Sequence, residues 1–217
     1  MIDTNTKRLA LFNFWIAFGS FALACVFGMY QVLERSGLFS FIQSPAVYFA
    51  SVSTHGVLMA FVLTTFFIMG FGYYTATTSL KMPIWNPVLS WSGYAICLTG
   101  VVLAAIPLLL GKASVLYTFY PPIQANAFFY IGATLLVVGS WFWTVIMIVM
   151  FGKWKKNHPG ETVPLPMPIY GHGPVWAWHW RLYSNCYLGR WGLGILSMWA
   201  WHVPCLLGPY IPSSIFG

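Results

Sequence analysis

Acidic residues are nearly missing from this chain, which has three Asp and Glu among 217 residues against ten Lys and Arg. Charged residues make up 6% of it, where a soluble domain carries about a quarter. So few charges cannot dress the surface of a soluble fold, and most of the surface must lie in lipid or against other apolar helices. The formal net charge is +7, but the basic residues form no stripe and mostly flank apolar runs. Nucleic acid is therefore set aside as a partner, and the lipid bilayer takes its place. Paired cysteines are also missing: Cys25, Cys97, Cys186 and Cys205 show no CxxC spacing, so neither a disulfide framework nor a cysteine metal site is expected. Cys25 and Cys97 fall inside apolar runs, where a free cysteine behaves as a small hydrophobe. No repeat of the length that marks solenoids is visible, nor an inverted repeat of the transporter kind.

Apolar residues are what the chain has instead. Hydrophobic residues make up 59% and aromatic residues 19%, with a mean hydropathy of +0.74. Crossing the hydrocarbon core takes roughly 20 helical residues, and four uncharged stretches meet that length, at about 9–33, 46–78, 86–110 and 126–151. The second is long enough to tilt or to project beyond the bilayer. Breakers separate them: Glu34-Arg35-Ser36-Gly37, Lys81-Met82-Pro83, Gly111-Lys112, Pro121-Pro122 and Gly152-Lys153. The first run is too long for the core of a signal peptide, so it is read as a span and not as a leader. With the amino terminus cytoplasmic, Lys7, Arg8, Lys81, Lys153, Lys155 and Lys156 lie inside and Arg35 and Lys112 outside, as the positive-inside rule requires. The expected fold is an all-α, polytopic transmembrane helix bundle with a cytoplasmic amino terminus.

The character changes late in the chain. Lys153 to Tyr170 reads as a polar, proline-rich loop, and residues 171–217 hold six of the twelve tryptophans. Residues 191–211 are an uncharged candidate for a fifth span, which Pro204 and Pro209 would break at its end. The chain thus divides at about residue 170, into amino-terminal spans (1–170) and an atypical Trp/Gly/Pro-rich tail (171–217). A shifted reading frame and a natural truncation both account for such a tail.

One residue in the spans carries chemistry. His55 stands in Ser53-Thr54-His55-Gly56-Val57-Leu58, roughly 13 Å below the outer end of the second span. Ionisable residues at that depth are scarce and face a bundle interior or a cavity. Three roles fit: a structural hydrogen bond to a neighbouring helix, a proton relay, or axial ligation of heme iron. Gly56 beside it would let a flat macrocycle approach the backbone. The helical face shared with His55 runs through Ser51, Val52, Leu58, Met59, Val62, Phe66 and Met69, which suits a porphyrin edge and plain helix packing equally.

The segment Thr54-His55-Gly56-Val57-Leu58, followed by Thr64-Thr65-Phe66-Phe67-Ile68-Met69-Gly70-Phe71, resembles the second span of heme–copper oxidase subunit I. Between the third and fourth spans, Leu116-Tyr117-Thr118-Phe119-Tyr120-Pro121-Pro122 resembles that family's outer loop. Alone, such a loop would signify interfacial aromatics anchoring a helix end; together with His55 it points to the family. Asn86-Pro87, the span lengths and the inside amino terminus agree, and the likeness runs over residues ~5–170, nearest the B-type (ba-type) branch. The loop Ser79–Pro87 has no aspartate, unlike the proton-uptake entrance of A-type oxidases, which fits that branch.

The resemblance implies that His55 is an axial ligand of a low-spin heme (heme b), that Gly56 packs against it, and that Tyr117 and Tyr120 lie in a loop covering it. It further implies the catalytic subunit of a proton-translocating cytochrome c oxidase, in a prokaryotic plasma membrane. The expected partners are subunit II with its copper centre and cytochrome c or a similar electron donor. The family's high-spin heme and copper B are held by downstream histidines that find no match here. His158, His172, His179 and His202 fall at no helical metal-pair spacing and receive no ligand role. The chain alone is therefore expected to be inactive toward dioxygen. The alternative class is a heme-free membrane interaction subunit or a small transporter.

Overall fold

The computed structural model describes residues 3–37, 45–113, 115 and 125–161. Tyr117, Tyr120, His172, His179, His202, the candidate fifth span and the 171–217 tail lie outside the described residues. Among the described residues the fold is all helical: α1 (Thr4–Ser36), α2 (Pro45–Val57), a π-helical turn (Leu58–Leu63), α3 (Thr64–Leu80), α4 (Pro87–Leu109) and α5 (Ala127–Asn157). The segments α2, π turn and α3 run on as one span, Pro45–Leu80, and with α1, α4 and α5 make four helices long and apolar enough to cross a membrane. All four expected spans are present. Gly152 and Lys153 do not end the last one, however; α5 continues to Asn157. Gly152 lies within the helix and so marks no turn, and a lone glycine costs a helix only about 1 kcal/mol.

Local sequence explains the helix ends. Asn86 caps α4 through its side-chain oxygen, which accepts from the Leu89 amide at 3.1 Å. Pro87 takes the first helical position, where its missing N–H costs nothing. Asn126 caps α5 in the same way, accepting from the Phe128 amide at 3.0 Å. α1 stops at Gly37, whose left-handed φ of 73° turns the chain.

The packing is carried by small residues. A Cβ on Gly100 would sit 2.5 Å from the carbonyl oxygen of Gly132, and one on Gly132 would sit 2.4 Å from that of Gly100. One turn pair away, a Cβ on Gly139 would meet the sulfur of Cys97 at 2.4 Å and the Gly93 carbonyl at 2.8 Å. These two glycine contacts, seven residues apart on each helix, bring α4 and α5 together backbone to backbone. Close approach of this kind gives van der Waals packing, which replaces the hydrophobic effect where lipid is the solvent. α1 meets α3 similarly at Gly70, where a Cβ would lie 3.0 Å from Asn13 Cβ and 3.1 Å from the Ala10 carbonyl. The core between them holds Leu9, Phe66, Met69, Tyr73, Ile146 and Met150, all buried. Outward, Trp15, Val26, Met29 and Val32 of α1 are exposed, as a face turned to lipid should be.

Candidate functional site

His55 sits ten residues into α2, about 15 Å along it, and three residues ahead of the π turn. Its ring is half-buried and turned toward α1. Nδ1 lies 2.8 Å from the backbone carbonyl oxygen of Ala24, a residue with no exposed surface. A carbonyl accepts only, so Nδ1 carries the proton and donates. In the neutral ring the lone pair is then on Nε2.

The space for the ring comes from α1. A Cβ on Gly28 would stand 3.1 Å from His55 Cε1 and 3.3 Å from Nδ1, so the bare glycine forms the wall of the slot. One turn further out, the Gln31 side-chain amide donates to the Ser51 carbonyl at 3.2 Å, tying α1 to α2 again. The neighbouring hydroxyls turn back onto their own helix: Ser53 donates to the Phe49 carbonyl and Thr54 to the Ala50 carbonyl. Gly56 is half-buried next to His55 on the same helix.

Two contributors escaped the sequence reading, Ala24 and Gly28. The signal for them was present: Ala10, Ala17, Ser20, Ala24 and Gly28 recur at spacings of three, four and seven along α1. That is one helical face of small residues, which admits a neighbour closely. One sequence expectation is corrected. Phe66 and Met69 do not share the face of His55. The Phe66 ring lies 5.9 Å from that of Tyr94, and the Met69 sulfur 3.9 Å from that of Cys97, both on α4. The π turn between them and His55 displaces the register.

His158, at the far end of α5, stacks on Trp154 with ring centroids 4.8 Å apart, and its Nδ1 lies 3.0 Å from the Trp154 carbonyl. No group of three or more His, Cys, Asp or Glu side chains is placed to hold a metal ion among the described residues. The arrangement at His55 can present one neutral imidazole nitrogen, held in orientation by its other nitrogen. That oriented pair of atoms is the usual support of a metal-ligating histidine.

Comparison with known proteins agrees with this architecture. Residues 8–180 match the family described as cytochrome c and quinol oxidase polypeptide I. Cytochrome c oxidase subunit 1 of Thermus thermophilus is 33% identical over 168 residues, which is 73% of this chain and 29% of that protein. A cryo-EM structure of a heme–copper terminal oxidase dimer superposes with a TM-score of 0.71 at 32% identity, covering 76% of this chain and 28% of that one. The chain thus spans under a third of the length of the relatives it matches. With four long apolar helices and a match over most of its length, this multi-pass membrane protein belongs to the cytochrome c and quinol oxidase polypeptide I family.

Proposed function

We propose that this chain forms the amino-terminal spans of the catalytic subunit of a respiratory terminal oxidase, and that His55 is an axial ligand of its low-spin heme b. The observation that carries the reading is the hydrogen bond from His55 Nδ1 to the Ala24 carbonyl. It holds the ring in the tautomer that leaves Nε2 free to bind iron. Gly28 supplies the room in which the ring keeps that orientation, and Gly56 is the residue beside it that would let the macrocycle lie against α2. Tyr117 and Tyr120 belong to the loop that would cover the heme from outside. When bound, the heme supplies a one-electron carrier within the span. The protein's own part is to orient the imidazole and to keep it buried among apolar helices.

In this reading the intact subunit oxidises cytochrome c, with electrons arriving through the copper centre of subunit II, reduces dioxygen to water and moves protons across a prokaryotic plasma membrane. High-spin heme and copper B would be held by the parts of the subunit beyond the matched region. The amino terminus is cytoplasmic, and residues 1–170 act as one unit ahead of the 171–217 tail.

The test is His55→Ala in the chain assembled with the remaining spans of a subunit I. The expected result is loss of the low-spin heme absorbance while the helices still insert. An unchanged heme spectrum would refute the ligand assignment and favour a heme-free membrane subunit.

A further inference from the structure

We propose that the π turn Leu58–Leu63 is the positioning element that aims His55 at α1, by rotating it off the face on which the same helix presents Phe66 and Met69 to α4. Successive residues of an α-helix are offset by about 100°. On an unbroken helix Phe66 and Met69 would therefore each lie within about 40° of His55. They are found instead on two different neighbours. His55 Nδ1 meets the Ala24 carbonyl of α1, whereas the Phe66 ring meets Tyr94 and the Met69 sulfur meets Cys97, both of α4.

A π turn closes its hydrogen bonds five residues on instead of four and so absorbs one additional residue. Everything downstream is displaced by about 100° relative to what precedes it. That displacement accounts for the separation. Ala60, in the middle of the turn, is exposed, while Val57, Leu58, Phe61 and Val62 line an apolar groove against α4 and α5.

Below the turn, α3 is held from two sides, by α4 through Phe66 and Met69 and by α1 through Gly70, which abuts Asn13 and Ala10. It has little freedom to rotate. The orientation of His55 is thus set by the turn, and the turn acts on whatever His55 binds without touching it. The functional weight of this inference rests on the reading of His55 as a heme ligand, but the geometry does not.

The experiment uses the full chain in membranes, with Cys25, Cys186 and Cys205 replaced by serine. Two crosslinks are scored with a one-carbon methanethiosulfonate reagent. One joins cysteines introduced by Gly28→Cys and His55→Cys, with Cys97→Ser. The other joins Met69→Cys to native Cys97. Both are expected to form in the parent. Deleting Ala60 converts the turn to α-helix, and the 28–55 crosslink should then fall at least tenfold while the 69–97 crosslink persists. If both crosslinks keep their parental yields after the deletion, the proposal is wrong. Where the deletion chain fails to accumulate, an alanine inserted between Thr64 and Thr65 should restore it and one inserted after Lys81 should not. Rescue by both insertions, or by neither, overturns the proposal as well. No heme enters these readouts, so their failure is distinct from failure of the ligand assignment in the His55→Ala spectrum.

Discussion

The imidazole Nδ1 of His55 donates to the backbone carbonyl of Ala24 across 2.8 Å, so the orientation of this ring depends on the neighbouring helix α1. Because the acceptor is main chain, no substitution at residue 24 deletes it directly, and the sensitive position is its neighbour Gly28. A Cβ there would lie 3.1 Å from His55 Cε1, tighter than ordinary contact yet within what a ring can yield. Gly28→Ala should therefore weaken heme retention modestly. Gly28→Val adds branched carbons that the slot cannot hold, and should lower it by about 10–100-fold, the usual loss when support of a metal-ligating histidine is removed. Heme content per purified chain, assembled with the remaining spans, measures both. Equal retention in the two variants would mean that the ring does not depend on α1.

The contacts between α4 and α5 make a second, graded prediction. A methyl on Gly100 would strike the Gly132 carbonyl at 2.5 Å and the Leu136 amide nitrogen at 2.8 Å. Backbone cannot step aside as a flexible side chain can, so Gly100→Ala and Gly132→Ala should each destabilise by about 1–3 kcal/mol. Gly152→Ala, where nothing lies within 4 Å, should be neutral or stabilise by up to about 1 kcal/mol through helix propensity. Unfolding by sodium dodecyl sulfate titration in mixed micelles would rank them, and the order should reverse neither in detergent nor in lipid.

The entry into α4 gives a third. Asn86 accepts from the Leu89 amide, and its own carbonyl receives both the Ser90 amide at 3.1 Å and the Ser90 hydroxyl at 2.9 Å. Only the first of these uses the side chain. Asn86→Ala should cost about 1 kcal/mol, while Asn86→Asp, which keeps the acceptor, should stay within a few tenths of the parent. The same titration reads both variants. A loss as large for aspartate as for alanine would show that the cap is not what stabilises the turn.

What the sequence made legible follows from what it encodes locally. Apolar length marks a span without reference to any neighbour, so all four spans could be placed, and the depth of His55 followed by counting residues. The direction of its ring could not be found that way. It is fixed by the Ala24 carbonyl, which carries no side-chain signature, and by the π turn, whose residues Leu58–Leu63 are ordinary apolar residues. Assuming constant helical register is what placed Phe66 and Met69 on the wrong face. The end of α5 was missed for a related reason: Gly152 and Lys153 look like a boundary, but nothing in their surroundings requires the helix to stop.

Orientation in the membrane rests on charge, and it can be tested directly. Six basic residues fall on the side assigned to the cytoplasm and two on the other, and a bias of that size near span ends sets topology. The described structure supplies reporters on both sides. Lys155 is exposed in the last turn of α5, and Lys112 is exposed just beyond α4. In a chain whose native cysteines are replaced by serine, Lys112→Cys should react with a membrane-impermeant maleimide added to intact spheroplasts. Lys155→Cys should react only after the membrane is opened. Each substitution removes one basic residue from its side, leaving five against two or six against one, so neither should invert the chain. Labelling of Lys155→Cys from outside would reverse the assignment. His55 would then lie nearer the cytoplasmic face.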